Sequence, residues 1–156
     1  MDIEQQYDKL LRYCTMKLHH TALAEDITQE AFLRFWESRD RRPGGREMAY
    51  LYTIARNLCT DYFRKHREVL WEDLPPQAEE KFSAADSAAG VVDRLSIETA
   101  LATLTDQARE AVVLRYGAEL SVTEVGEVMG LSRFAVRRRL TEAMKGLRKE
   151  LADHEE

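Results

Sequence analysis

Residues 121–149, SVTEVGEVMGLSRFAVRRRLTEAMKGLRK, leave this chain few folds to adopt. Ser121 and Glu124 stand at the S-x-x-E spacing of a capping box, in which the serine hydroxyl accepts a helix amide and the glutamate reaches back to the cap. A short helix is expected next, ended at Gly130, where glycine takes a left-handed conformation that a side chain would oppose. Ser132 is placed to cap a second helix. In that helix Val136, Leu140, Ala143 and Leu147 recur at helical spacing and require a core. Phe134, Arg138 and Lys145 then point away from it, with Arg137, Thr141 and Arg139 on the flanks. The pattern is that of a helix-turn-helix whose second helix offers guanidinium groups to a DNA groove. The competing account is an αα-hairpin with a solvated basic face, and three consecutive arginines behind two caps weigh against it.

A net charge of −5 argues at first against nucleic acid. Its distribution reverses that impression. Residues 131–149 hold seven basic side chains and one acidic, and residues 39–68 hold eight basic and four acidic. Between these stretches, residues 69–93 carry six acidic side chains and only Lys81 as a base. Local fields rather than net charge govern binding, and here the charge is sorted along the chain.

No apolar run approaches the ~20 residues of a membrane span, and the start, MDIEQQYDKL, has none of the features of a signal peptide. Cys14 and Cys59 are far apart in sequence and fall on apolar positions of predicted helices, which suits small core residues better than a disulfide or redox pair. His19, His20, His66 and His154 show no metal-ligand spacing with cysteines or carboxylates. The expectation is a soluble, cytoplasmic protein with no metal and no cofactor.

No stretch alternates with a strand period, so the fold class is all-α. A first helix over residues 3–18 carries Ile3, Tyr7, Leu10, Leu11, Cys14 and Leu18 on one side. A second covers residues 22–38, and Arg39 to Arg46, with Pro43-Gly44-Gly45, reads as a loop. A third covers residues 47–67, with Leu51, Ile54, Ala55, Leu58 and Tyr62 inward. Composition then shifts to acid, small residues and Pro75-Pro76, the makings of a linker, with little periodicity beyond Trp71, Leu74 and Phe82. Helical periodicity returns with Leu95, Leu101 and Leu104, and Thr105 caps a helix over residues 106–116 that Gly117 ends. Two small helical domains, 1–68 and 94–153, joined by an acidic linker over 69–93, are the simplest account.

The second helix has two stripes. Ile27, Ala31 and Phe35 fit a core, while Asp26, Gln29, Glu30, Leu33 and Glu37 lie opposite and mix carboxylates with an exposed leucine. A solvated face is the usual source of such charge; Leu33 and Trp36 tilt the reading toward a protein-docking surface. On the third helix Tyr50, Thr53, Asn57, Asp61 and Arg64 lie opposite the core stripe, with Arg56 and Phe63 on a further face. A ring that stacks on a base, an amide that reads a base edge and guanidinium on phosphate could hold single-stranded DNA. Spacing alone fits a solvated face equally well.

Three segments carry a family resemblance. AEDITQEAFLRFWE (24–37) resembles the region 2 helix by which bacterial sigma factors bind core RNA polymerase. AYLYTIARNLCTDYFRKHR (49–67) is similar to the region 2 helix that melts and reads the minus-10 promoter element. LTDQAREAVVLRYGAELSVTEVGEVMGLSRFAVRRRLTEAMKGLRKEL (104–151) resembles region 4, which reads the minus-35 element. Their order and spacing are those of the extracytoplasmic-function (ECF) class of the sigma-70 family, the minimal two-domain sigma factors. The resemblance implies that Asp26, Gln29, Glu30 and Leu33 meet core polymerase. It further implies that Asn57 captures a flipped minus-10 base, with Tyr50 and Arg56 nearby, and that Arg64 and Lys65 hold promoter backbone. It assigns Arg133, Phe134, Arg137, Arg138, Arg139 and Thr141 to minus-35 DNA. It places the acidic linker toward the RNA exit channel, and it adds an anti-sigma factor as a partner beside core enzyme and promoter DNA.

The chain departs from the family pattern at several points. Tyr50 stands where a tryptophan is usual, Glu142 where a second basic residue often sits, and Phe134 and Arg138 where small or polar residues are common. Tyr50 keeps a ring for stacking, Glu142 bears on the downstream half of the minus-35 contact, and Phe134 with Arg138 implies an individual promoter preference. Two other functions share part of these features. A dimeric helix-turn-helix regulator needs neither an acidic docking helix nor a base-capturing helix. A sigma mimic that only sequesters anti-sigma factors is expected to lack the recognition-helix arginines. An enzyme is the least supported reading, because no P-loop, nucleophile elbow or paired-carboxylate motif is present.

Overall fold

Side-chain caps form at the three predicted positions, Thr105, Ser121 and Ser132, and at two further ones, Asp2 and His20. In the computed structural model, which describes residues 2–41, 45–73, 97 and 99–155, all regular structure is helical. The carboxylate of Asp2 accepts the amide of Gln5 at 3.3 Å and starts α1, Ile3–Leu18. His19 then turns the chain in the left-handed region, with φ 53°. The Nδ1 of His20 accepts the amide of Leu23 at 3.1 Å and caps α2, Thr21–Glu37. A 3-10 turn, Arg39–Arg41, leads toward α3, Glu47–Asp73. Positions 42–44 of the predicted Pro-Gly-Gly loop lie outside the described residues.

The chain divides into two units, Met1–Phe82 and Ser83–Glu156. In the first, α1, α2 and α3 pack on one another in pairs. Small side chains let the helices approach: Ala24 and Ala31 on α2, and Ala49 and Ala55 on α3, are buried. Leu10, Tyr13, Leu51 and Tyr52 fill the space between them, with the Tyr13 and Tyr52 rings edge to face at 5.4 Å. Thr28 is fully buried, and its hydroxyl donates to the carbonyl of Ala24 at 2.7 Å. The side chain of Cys14 hydrogen-bonds those of Cys59 and Thr28, and no disulfide joins the two cysteines.

The core differs from the predicted stripes in instructive places. Ile3 is 62% exposed, because the first turn of α1 precedes the bundle. Ile27, Ile54, Leu58 and Tyr62 are only half-buried. Ala24 and Thr28 on α2 and Tyr52 on α3, which the predicted stripes leave out, are buried beside the predicted Ala31, Phe35, Leu51, Ala55 and Cys59. A three-helix bundle buries the residues at the points of closest approach, and small or polar-tipped side chains occupy those points here. The helix expected to end at residue 67 continues to Asp73, so the first residues assigned to the linker are helical. The remainder of that linker, with Leu95, lies outside the described residues.

In the second unit, residues 99–102 are helical. The guanidinium of Arg109 closes that helix, donating from Nε to Leu101 O and from Nη2 to Leu104 O, each at 2.9 Å. Thr105 caps α4, Asp106–Val112, through the amide of Ala108 at 3.2 Å. The helix predicted to run on to residue 116 widens instead into a π-helical turn, Val113–Gly117. The helix-turn-helix follows as α5, Val122–Met129, and α6, Arg133–Glu155. Both arms of the capping box form: Glu124 N donates to Ser121 Oγ at 3.1 Å, and Ser121 N donates to Glu124 Oε1 at 3.0 Å. Gly130 has φ 70°, and Ser132 Oγ accepts the amide of Ala135 at 3.1 Å. Leu114, Leu120, Val125, Val136 and Ala143 form the core.

Candidate nucleic-acid interface

Burial of Val136, Leu140 and Ala143 fixes the rotation of α6 and so decides what its other face presents. Arg133, Phe134, Arg137, Arg138, Thr141 and Lys145 are all exposed. A shallow groove is lined by Phe134, Arg137, Arg138, Thr141, Glu142 and Lys145. Arg139 is set apart from this group. It is half-buried on the flank, with Nη1 3.7 Å from Glu142 Oε2, and its Nε is buried with no hydrogen-bond partner. A partly exposed pair at that separation contributes little stability. Glu142 therefore lowers the positive potential at one end of a face that is otherwise basic.

On α3 the buried Leu51, Ala55 and Cys59 leave Tyr50, Asn57, Arg64 and Lys65 exposed. Tyr50, Asn57 and Arg64 are spaced at seven residues, two helical turns apart, and so share one face. Tyr50 is 39% exposed, and its ring leans against Phe35 with centroids 6.3 Å apart. Arg64 reaches within 3.6 Å of Asp61, an exposed pair that leaves the guanidinium available for phosphate. Arg56 is half-buried rather than exposed.

The outer face of α2 carries Asp26, Gln29, Glu30 and Leu33 as one stripe. Leu33 is 53% exposed and Trp36 beside it 59%. Glu30 accepts from Arg34 Nε at 2.9 Å. Arg39 lies over the Trp36 ring at 4.7 Å and donates to the Trp36 carbonyl at 2.9 Å. This arginine–tryptophan pair went unread in the sequence; its i, i+3 spacing was the available signal. The strongly perturbed phenol, that of Tyr52, is buried in the core of the first unit. Burial, aided by Cys14, pushes the Tyr52 phenol well above its ordinary range.

An acidic-apolar helix, an aromatic-amide-basic helix and a basic helix-turn-helix thus follow one another along the chain, and comparison with known proteins gives that order a family. The family model described as Sigma-70 region 2 matches residues 3–69, and that described as Sigma-70, region 4 matches residues 100–149. The chain is 30% identical to the ECF RNA polymerase sigma factor SigW of Bacillus subtilis, over 94% of this chain and 84% of that protein. It is 31% identical to the ECF RNA polymerase sigma factor SigL of Mycobacterium tuberculosis, over 89% and 80%. The fold is similar to that of the sigma factor RpoE of Bartonella quintana, solved in complex with the anti-sigma factor NepR. That match has TM-score 0.78 at 24% identity, covering 94% of this chain and 92% of that one. The chain belongs to the sigma-70 family of RNA polymerase sigma factors, and within it to the ECF sigma factors. Among the described residues no helix is long and apolar enough to cross a membrane.

Proposed function

We propose that this ECF sigma factor docks on core RNA polymerase through Asp26, Gln29, Glu30 and Leu33 of α2. It holds the melted minus-10 element on the face of α3 that carries Tyr50, Asn57, Arg64 and Lys65, with Arg56 at its edge. It reads minus-35 DNA with Arg133, Phe134, Arg137, Arg138 and Thr141 of α6, while Arg139 supports phosphate contact from the flank. The observation that carries this reading is the rotation of α6, whose buried Val136 and Leu140 turn Arg133, Arg137 and Arg138 outward together.

The protein performs recognition and melting in the cytoplasm without covalent chemistry of its own. An anti-sigma factor controls it, a reading supported by the NepR complex of its structural neighbour. In vitro transcription with purified core enzyme on a genomic fragment library tests the proposal. Promoter-specific transcripts that depend on added protein are the expected result. Core enzyme that transcribes no fragment in response would refute it.

A further inference from the structure

Phe134 is 75% exposed, and no large apolar side chain among the described residues is more so. It is the second residue of α6, in the first turn, the part of a recognition helix that meets base edges. Arg138 lies one turn further on the same face, and Arg137, Thr141 and Lys145 share the groove. Val136, Leu140 and Ala143 supply the helix's core contacts from the opposite side, so packing within the protein does not account for a phenyl ring at this position.

A ring set among cations on a DNA-facing helix has a specific apolar partner. In the major groove the bases present hydrogen-bond donors and acceptors, and thymine alone adds a methyl group. Arginine pairs there with the two acceptors of guanine. We propose that Phe134 packs on the 5-methyl group of a thymine in the minus-35 element, beside a guanine read by Arg138. Phe134 is thereby a specificity-determining residue of this sigma factor. The inference rests on the assignment of α6 to minus-35 DNA and names what one of its side chains recognises.

The test uses the full chain assembled with core RNA polymerase. Duplexes are selected from a random-sequence library, and each minus-35 thymine is then replaced in turn by deoxyuridine, which lacks only the methyl group. Wild-type holoenzyme is expected to lose about fourfold in affinity at one thymine, the change that one methyl group removed from water corresponds to. Holoenzyme with Phe134→Ala is expected to bind the two duplexes equally. Because the side chain is exposed, that variant should keep the wild-type melting temperature. Selected elements without thymine, or equal deoxyuridine losses in wild type and Phe134→Ala, overturn the proposal while leaving α6 as the reading helix. A holoenzyme whose selection survives Arg137→Ala together with Arg138→Ala overturns the assignment of α6 itself, and this proposal with it.

Discussion

Gly126 and Leu131 meet backbone to backbone inside the helix-turn-helix. The amide of Leu131 donates to the carbonyl of Gly126 at 2.9 Å, and a Cβ built on Gly126 would lie 2.5 Å from the carbonyl oxygen of Leu131. The turn that sets α5 against α6 is therefore closed over a glycine in mid-helix, where glycine is otherwise unfavourable by roughly 1 kcal/mol relative to alanine. The contact involves backbone on both sides, so no side-chain rotation can relieve it.

Gly126→Ala should destabilise the second unit by about 1–3 kcal/mol, because forced overpacking outweighs the gain in helix propensity. Gly117→Ala is the control, since its Cβ would meet only Val113 Cγ1 at an ordinary 3.7 Å. Urea unfolding of both variants decides the matter, and equal midpoints would remove the Gly126–Leu131 contact as a determinant of the turn.

Tyr52 is fully buried, and its hydroxyl has no hydrogen-bond partner. An unsatisfied buried polar group carries a penalty of about 1–3 kcal/mol, so Tyr52→Phe is expected to stabilise the first unit by roughly 1 kcal/mol. The ring contact with Tyr13 is retained in that variant. A raised melting temperature with unchanged transcription is the expected outcome, and a loss of stability would show that the hydroxyl has a partner after all.

Polymerase docking should depend on the charged stripe of α2. Asp26→Arg with Glu30→Arg reverses charge at two surface positions and should abolish association with core enzyme, since like charges brought together at an interface disfavour it strongly. Far-ultraviolet circular dichroism should be unchanged. Co-purification with core enzyme at the wild-type level would contradict the docking assignment.

On α6, the consequence of a mutation should depend on its face. Arg138→Ala at a base-reading position should weaken promoter binding by about 1–3 kcal/mol and relax specificity at one base. Loss of a phosphate contact should instead weaken all sequences alike and reduce the salt slope by about one. Val136→Asp places a carboxylate at a position with no exposure and should unfold the unit. Titrations of duplex promoter at several salt concentrations separate these cases.

Asn57 should matter for melting rather than for docking. A base drawn from the stack needs a stacking partner and edge hydrogen bonds to offset a few kcal/mol of unpairing, which Tyr50 and Asn57 on one face of α3 can provide. Asn57→Ala should bind core enzyme and minus-35 duplex normally, yet show reduced permanganate reactivity of minus-10 thymines. A pre-melted template should recover most of the transcription. Equal losses on duplex and pre-melted templates would assign Asn57 to folding or docking instead.

Much of the second unit was legible because its signals are local. The Ser121–Glu124 box, the left-handed Gly130 and the Ser132 cap each involve residues three or four apart, and short-range hydrogen bonds determine them. The amphipathic rotation of α6 was equally readable, since Val136, Leu140 and Ala143 repeat with the helix period. The π-helical turn at Val113–Gly117 was not, because it replaces one helical hydrogen-bond pattern with another without changing residue type.

In the first unit, periodicity assigned the helices but only partly their core. It placed Ile3 inside and overlooked Ala24, Thr28 and Tyr52, because helix spacing records the identity of a face and not how closely a neighbour approaches it. Cys14 and Cys59 are 45 positions apart, and only the packing of α1 on α3 brings their side chains into hydrogen-bond contact. The same holds for Leu131 over Gly126: the sequence by itself determined that a turn must follow Met129, through the capping and glycine chemistry of neighbouring residues. That the turn closes tightly enough to exclude one methyl group was decided by tertiary structure, because hard-core repulsion depends on distances that exist only once α5 and α6 have packed.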